Sequence, residues 1–372
     1  VTSINRAASS PTNTASVSWT VTFPDAVSGL TSNNFALING GLGGSPAITA
    51  VTAVGSAPAT QWMVTASTGT GDGTLGLNLT NDTGLSHDMT NLTFIGQVYT
   101  IERTPPTVAM SSAIPNPTNT SPISITVQFS ETVNNFIATD IIPSNATVDN
   151  FIAVDGDTYT FDLTPSGQGV VTADIAAGAA TDTAGNSNTA ATQFSRTFDS
   201  ISPTVAMNSA ASDPTNTNPI PVTVQFSETV SGFSATDIIA GNATVDNFVA
   251  LDGDTYTFDL TPSGQGSVTA DIPAGVATDG VGNDNTAATQ FSRTFDSDAP
   301  TVAITSAPSN PTNTTPIQVM VQFSENMIGF AAVDITPGNA TIGNFVAVDG
   351  DTYMFDLTPS GQGVVTVDIT AG

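Results

Sequence analysis

The chain has 372 residues, of which 32 are acidic and four are basic, so its formal net charge at pH 7 is −28. A surface of this charge repels nucleic acid and anionic membranes, because phosphate recognition depends on lysine and arginine. Cysteine is absent, which excludes disulfides and thiolate chemistry, and no segment approaches the roughly 20 apolar residues of a membrane span. The counter-ion expected for such a chain is a small hard cation, and oxygen ligands of this kind suit Ca²⁺.

A segment of 97 residues recurs along the chain. The phrase Pro-Thr-Val-Ala begins at Pro106, Pro203 and Pro300, and the phrases Phe-Ser-Glu and Leu-Thr-Pro-Ser-Gly-Gln-Gly follow at the same interval. Units of this length are large enough to enclose their own cores, so the pattern predicts repeated domains. A catalytic site is needed only once, and the repetition therefore favours a structural function over an enzymatic one.

The repeats predict four domains. The first is divergent, but its run from Ser10 to Phe23 has the spacing and alternation of the later units and places Trp19 in a core. The sequence stops before the position of the fourth unit's last strand. We expect the parent chain to continue, and the alternative is that another chain supplies that strand. The predicted domains are 1–103, 104–200, 201–297 and 298–372.

Strand patterns dominate the second unit. Residues Ile123 to Phe129 alternate apolar and polar side chains with a period of two, as do residues 158–163 and 171–175, which predicts strands with one buried face. The turn Asp155-Gly-Asp157 between two such runs predicts a hairpin. Seven short strands separated by proline, glycine and asparagine are typical of an all-β, Ig-like antiparallel sandwich. The predicted strands lie near 107–112, 123–130, 136–142, 147–154, 158–164, 170–175 and 193–199.

These phrases resemble the bacterial Ig-like repeat domains of large secreted surface proteins and adhesins. The matching phrases are P-T-V-A-M from Pro106, P-I-S-I-T-V-Q-F-S-E from Pro122, A-T-D-T-A-G-N-S-N-T-A from Ala180 and F-D-S-x-x-P-T from Phe198. The resemblance covers essentially the whole chain, with residues 1–103 similar to a related subtype. It implies an extracellular, calcium-dependent stalk or fibre. Its expected partners are neighbouring Ig-like domains of the same or identical chains, with a cell-surface or glycan ligand as a further candidate.

The candidate metal site is an acidic group that recurs at each junction between units. In an Ig-like sandwich the B–C and F–G loops lie at the pole where the chain enters, so acids in those loops should meet an acid in the arriving linker. Such a group could supply the six to eight oxygens that Ca²⁺ takes. The alternative is that these acids keep the surface soluble and cap turns. The predicted ligands are Glu102, Glu131, Asp182 and Asn186 at the first junction, Asp199, Glu228, Asp279, Asn283 and Asp284 at the second, and Asp296, Asp298 and Glu325 at the third.

Other acidic residues favour ordinary structural roles. The turn that they form explains Asp155 and Asp157. Asp140 lies just after the B–C loop and could join the junction group. Asp162 and Asp174 face outward on strands that we expect to be adjacent, a carboxylate pair of the kind used in glycoside hydrolysis. Because the pair recurs in every copy, a solvated face is the favoured interpretation. Arg196 is expected to pair with neighbouring acids.

A carbohydrate-binding module is a further alternative. It would require an exposed aromatic platform, yet the alternation places the large aromatic residues on core faces. Fold alone does not decide between these functions. The residues in question are Trp19, Trp62, Tyr159 and Tyr256.

Overall fold

The computed structural model describes residues 1–371, which form antiparallel strands joined by turns and short 3-10 helices. Contacts divide the chain into two compact units. The first holds Val1–Thr204, Ser227–Phe233 and Ala274–Thr286, and the second holds Val205–Phe226, Ser234–Pro273 and the chain from Ala287 onward. Residue 372, the end of the predicted fourth domain, lies outside the described residues.

The divergent N-terminal part forms two sheets, with strand orders β1-β2-β5-β4 and β3-β6-β7. The strands are β1 (Ser3–Arg6), β2 (Ser16–Val27), β3 (Phe35–Gly40), β4 (Ile48–Ala53), β5 (Ala59–Ser67), β6 (Gly73–Leu79) and β7 (Phe94–Ile101), with a 3-10 helix at Ser32–Asn34. Trp19 is fully buried, packs edge-to-face on Tyr99 and donates its indole N–H to the Gln97 carbonyl at 2.7 Å. The predicted core position of Trp19 is confirmed.

The first full repeat follows in the same unit. Its strands are β8 (Val108–Ser111), β9 (Ile123–Phe129), β10 (Val133–Asn134), β11 (Ile141–Ser144), β12 (Ala146–Ala153), β13 (Thr158–Pro165), β14 (Gly169–Ile175), β15 (Thr181–Asp182) and β16 (Phe194–Phe198), with a 3-10 helix at Ala138–Asp140. They form the sheets β12-β13-β9-β8 and β11-β14-β16 and a two-stranded ribbon, β10-β15. The division into a four-stranded and a three-stranded sheet is that of an Ig constant-type sandwich, which confirms the predicted fold class.

The core of this repeat lies between the two sheets. Strands β9 and β13 pair so that Phe161 lies opposite Ile125 and Tyr159 opposite Val127, and all four side chains are buried. Each such burial contributes about 1.5–3 kcal/mol. The alternation of the sequence therefore identified the buried face correctly.

The third predicted strand starts later than expected. Residues from Ala138 to Asp140 form a 3-10 turn, and strand β11 begins only at Ile141. The Asp140 carboxylate accepts the Ile137 backbone N–H at 2.9 Å, which holds the turn in place. Asp140 therefore acts as a local cap.

The predicted hairpin after β12 is confirmed. The Asp155 Oδ1 atom accepts the backbone N–H groups of Asp157 at 3.1 Å and of Thr158 at 2.8 Å. These hydrogen bonds, with that from Asp157 the largest contribution, lower the pKa of Asp155. The turn accounts for this carboxylate without a metal.

Two predictions about polar side chains are wrong. Asp162 lies on β13 and Asp174 on β14, and these strands belong to different sheets, so the two carboxylates are not on adjacent strands. The Arg196 guanidinium donates to the carbonyls of Ile114, Ser112 and Ser195 and lies 4.7 Å from the centroid of the Phe194 ring. It binds backbone carbonyls, whereas an acidic partner was expected.

The second unit contains two further sets of sheets. One set is β17-β18-β21-β20 with β19-β22-β23, and the other is β24-β25-β28-β27 with β26-β29. The strands are β17 (Val205–Asn208), β18 (Ile220–Phe226), β19 (Ile239–Gly241), β20 (Ala243–Ala250), β21 (Thr255–Pro262), β22 (Gly266–Asp271), β23 (Phe291–Phe295), β24 (Val302–Ser306), β25 (Ile317–Phe323), β26 (Ile335–Gly338), β27 (Ala340–Ala347), β28 (Thr352–Pro359) and β29 (Thr366–Ile369), with 3-10 helices at Ala235–Asp237 and Ala332–Asp334. The registers repeat those of β8 to β16.

The aromatic residues lie inside the sandwiches. All six tryptophan and tyrosine side chains are buried, with the four that the sequence placed on core faces among them. The structure therefore presents none of them as an exposed platform for stacking on a sugar. They are Trp19, Trp62, Tyr99, Tyr159, Tyr256 and Tyr353.

Candidate cation sites at the joints between repeats

Each candidate site begins with an acid in the linker between two sandwiches. Glu102 follows β7, and its backbone N–H donates to the Thr12 carbonyl at 3.1 Å. Its Oε1 atom accepts the Thr104 N–H at 2.5 Å. Asp199 follows β16 in the same way, with its N–H on the Thr118 carbonyl at 2.9 Å. The end of the preceding sandwich thus fixes where the linker carboxylate lies.

The loop between β14 and β16, which is the F–G loop of the Ig-like sandwich, supplies a second carboxylate. Asp182 is only 3 % exposed, and its Oδ1 atom accepts the backbone N–H groups of Ala184, Gly185 and Asn186 at 2.7–2.8 Å. Gly185 has φ of +95°, a conformation that favours glycine and lets the loop curl around the carboxylate. Oδ2 is left to face the linker. Asp279 repeats this arrangement one repeat later.

The third carboxylate is that of Glu131 in the loop after β9. Its equivalent one repeat later is Glu228 in the loop after β18. The group Glu102, Glu131 and Asp182 brings one carboxylate oxygen from each residue within 4.8 Å of the others, and Asp199, Glu228 and Asp279 do the same. We call these groups, with Asn186 and Asn283 respectively, the first and second joints. Both lie in the first compact unit.

The electrostatics of the first joint reflect this crowding. Burial, a hydrogen bond shared with Asp182, and the charges of Asp182 and Glu131 raise the pKa of Glu102 to about 7. Burial and the Asp182 charge also raise the pKa of Glu131. Burial alone would raise the pKa of Asp182, but the hydrogen bonds from Asn186 and the loop backbone lower it. Asp182 therefore stays ionised, and its negative charge raises the pKa values of Glu102 and Glu131.

The second joint follows the same pattern. Burial, followed by the charges of Asp279 and Asp199, raises the pKa of Glu228. The pKa of Asp279 is lowered despite its burial, because Asn283 and two further loop residues donate backbone N–H groups to it. Two separate stretches of sequence thus give the glutamate a raised pKa and the F–G aspartate a lowered one.

The predicted asparagine ligands reach the joints with their nitrogen atoms toward the carboxylates. The Asn186 Nδ2 atom donates to Glu102 Oε2 at 2.6 Å and to Asp182 Oδ2 at 2.8 Å. Asn283 Nδ2 donates to Asp279 Oδ2 at 2.8 Å and to the Asp199 carbonyl at 3.2 Å. To serve as a metal ligand, each amide would have to reverse and present Oδ1.

The remaining predicted ligands are not brought together. Asp284 is exposed and lies in a backbone bridge with Thr278. Among the described residues, Asp296, Asp298 and Glu325 do not form a three-carboxylate group. The Asp296 carboxylate instead accepts the Asp298 N–H at 3.1 Å within the linker. The position equivalent to Asp279 would be residue 376, which the 372-residue sequence does not include.

Sequence reasoning missed several residues at the joints. Asp72 accepts the Arg103 N–H at 2.6 Å and the Thr104 hydroxyl at 2.5 Å, and its charge contributes to the raised pKa of Glu131. It occurs only in the divergent first domain, so no repeat marked it. Asn13 and Asn119 also reach the joints, and the recurrence of Pro-Thr-Asn-Thr at 11–14, 117–120, 214–217 and 311–314 was the signal that could have identified them.

The donor set suits a hard cation. Ca²⁺ binds oxygen at about 2.3–2.6 Å, so two oxygens up to about 4.8 Å apart can share one ion. The three carboxylates of each joint meet that condition. Backbone carbonyls of the linker acids lie beside them, since each joint asparagine also contacts one.

The sandwiches and their recurring joints define a tandem array of Ig-like domains. The model of the bacterial Ig-like domain family matches residues 102–198, 199–295 and 296–371. The chain therefore belongs to the family of bacterial Ig-like domains, as the sequence resemblance predicted.

Several solved structures are similar to parts of the chain. Invasin, described as a bacterial integrin-binding protein, is 11 % identical, with 96 % of this chain and 73 % of invasin covered and a TM-score of 0.37. Yersinia pseudotuberculosis InvD is 11 % identical over 72 % of this chain and 82 % of its own, with a TM-score of 0.30. The S-layer protein rSbsC(31-844) is 12 % identical over 99 % of this chain and 64 % of its own, with a TM-score of 0.23. No curated protein sequence matches significantly. Among the described residues, no helix has the length and apolar character needed to span a membrane.

Proposed function

We propose that this chain is the repeating body of an extracellular, non-enzymatic adhesion or structural protein, in which Ca²⁺ binds at the joints and stiffens them. Membership of the bacterial Ig-like family supports the structural and surface role. The observation that carries the calcium proposal is that residues 97 positions apart assemble the same three-carboxylate group at two joints. In this proposal the domains keep the bounds 1–103, 104–200, 201–297 and 298–372.

The charge balance at the joints supports a bound cation. The sequence has no lysine, and the nearest linker arginine, Arg103, donates its guanidinium N–H groups to Gly71 O, Thr14 O and Thr68 Oγ1. Those contacts aim the guanidinium at oxygens of the first domain. A divalent ion would supply the positive charge that the three carboxylates share, and would lower their pKa values by favouring the ionised forms.

The mechanism we propose is mechanical. Glu102 belongs to the linker, whereas Glu131 and Asp182 belong to the following sandwich. An ion held by all three would tie the linker to the sandwich it enters and restrict rotation about the linker bonds. At the second joint, Asp199, Glu228 and Asp279 would do the same.

Electron–electron distance measurements test this function. Because the chain has no cysteine, replacing Thr52 and Thr126, two exposed strand residues on either side of the first joint, gives a protein with only two spin labels. Saturating Ca²⁺ should narrow the label-to-label distance distribution relative to chelator, and Glu131→Gln should abolish the narrowing. A distribution that is unchanged by Ca²⁺ would refute calcium stiffening of this joint.

A further inference from the structure

An asparagine of one domain contacts an asparagine of the next at both joints. The Asn13 Nδ2 atom donates to Asn186 Oδ1 at 3.1 Å, and the Asn13 backbone N–H donates to the Ala184 carbonyl at 3.1 Å. At the second joint, Asn119 Nδ2 donates to Asn283 Oδ1 at 3.2 Å. The first domain is divergent in sequence, yet it makes the contact that the second domain repeats.

The position of the motif explains why the contact recurs. Each asparagine follows a threonine that bridges in parallel to the last strand of its own domain, Thr12 to Ile101 and Thr118 to Phe198. The carbonyl of that threonine accepts the N–H of the linker acid. The asparagine and the linker acid are therefore held together on one edge of the domain, next to the chain's exit.

The receiving loop carries a glycine directly beside this side chain. Gly185 lies between the Ala184 carbonyl and Asn186, and a Cβ atom added there would lie 3.4 Å from Asn13 Nδ2, an ordinary van der Waals contact. The equivalent Gly282 would place a Cβ 3.8 Å from Asn119 Nδ2. The loop therefore requires glycine for its positive φ, and the glycine marks where the two asparagines meet.

We propose that the Pro-Thr-Asn-Thr motif is a docking surface for the F–G loop of the following Ig-like domain, and that its asparagine fixes how the two domains are oriented. The partner is defined by the loop pattern in which an aspartate is followed four residues later by asparagine, as in Asp182 and Asn186 or Asp279 and Asn283. The contact is made by amides and a backbone carbonyl, so it does not require a bound ion.

The hydrogen bond between Asn13 and Asn186 can also be kept when a cation binds the carboxylates. Asn186 uses Nδ2 for Glu102 and Asp182 and Oδ1 for Asn13. An amide carries both donor and acceptor groups, so if Asn186 reverses to present Oδ1 to a cation, Asn13 can reverse as well and keep one hydrogen bond. A carboxylate or an aliphatic side chain at position 13 could not do this in both states.

The test uses the label pair at Thr52 and Thr126, measured in chelator so that it does not depend on calcium binding. Asn13→Ala should broaden the distance distribution beyond that of the wild type in chelator, without unfolding either domain, as checked by circular dichroism and thermal melting. Asn119→Ala, at the other joint, should leave this distribution unchanged. Asn216→Ala should also leave it unchanged, because residue 216 lies in the third domain, which carries neither label.

A second variant gives an independent readout. Asn186→Ala should broaden the distribution, and the double variant Asn13→Ala/Asn186→Ala should be no broader than Asn186→Ala alone, since Asn186→Ala already removes the contact with the Asn13 side chain. An unchanged distribution in Asn13→Ala, equal broadening by Asn119→Ala, or additive effects in the double variant would each overturn the proposal. Failure of calcium to bind would leave all of these outcomes interpretable.

Discussion

The Asn186 side chain donates to Glu102 Oε2 at 2.6 Å across 84 residues of sequence. This one hydrogen bond links the F–G loop of the second domain to the linker that leads into it. The same amide also donates to Asp182 and accepts from Asn13. A single side chain therefore connects the preceding domain, the linker and the following sandwich.

The pH dependence of stability should reveal the crowded carboxylates. The pKa of Glu102 is about 7, above its ordinary value of 4.5, so between these values the folded protein retains a proton that the unfolded chain has lost. Stability without calcium should therefore fall as the pH rises from about 4.5 to about 7. Glu131 and Glu228 are shifted in the same direction. Thermal melts in chelator from pH 5 to pH 8 measure this slope.

The matched control for that slope is Glu102→Gln. The glutamine amide has nearly the same shape as the carboxyl group but does not ionise. Most of the loss of stability that the first joint causes as the pH rises should therefore disappear. Calcium should have a similar effect on the wild type, because it favours the ionised carboxylates. A wild-type melting temperature that is flat or rising over this pH range would contradict the electrostatic description of the joint.

Removing the F–G carboxylate should destabilise the second domain. In Asp182→Ala, three loop N–H groups lose their acceptor, and those of Ala184 and Asn186 are buried. Each buried donor left unsatisfied costs about 1–3 kcal/mol. Chemical denaturation followed by circular dichroism measures the loss. Asp155→Ala is the comparison, because the Asp155 oxygen also accepts two backbone N–H groups but lies where water can replace it. Equal losses in the two variants would show that burial of Asp182 is unimportant.

The separate cores predict separate effects of core substitutions. Phe161 is 1 % exposed inside the second domain, and a phenylalanine-to-alanine change in a core costs about 3–5 kcal/mol. Phe161→Ala should lower one unfolding transition in calorimetry, and Phe258→Ala, its equivalent in the third repeat, should lower a different one. A single transition that both variants shift equally would mean that the proposed domains do not unfold independently.

Much of the fold and the acidic groups could be predicted because they depend on local patterns that the repeat displays several times. Alternation identified the buried faces of β9 and β13, and strand order in an Ig-like sandwich brought Glu102, Glu131 and Asp182 to one pole. The sequence could not show that Asp162 and Asp174 lie in opposite sheets. The alternation of a strand identifies its buried face, but it does not indicate which of the two sheets the strand joins.

Other features depend on contacts that no local pattern encodes. Arg196 binds the backbone carbonyls of Ser112 and Ile114, and their position beside β16 follows only from the assembled fold. The two-residue ribbon of β10 and β15 is too short to have a periodic signal. Asn13 resembles an ordinary turn residue until the F–G loop of the next domain is placed against it.

Calorimetric titration of the whole chain with Ca²⁺ tests the central claim most directly, because it counts the ions. The wild type should bind two, Glu131→Gln and Glu228→Gln should each bind one, and the double variant should bind none. Glu325→Gln is the matched control, since this glutamate has the equivalent sequence position but belongs to no three-carboxylate group among the described residues, and it should still bind two. No saturable binding by the wild type, or a stoichiometry that Glu131→Gln and Glu228→Gln leave unchanged, would contradict calcium binding at these joints.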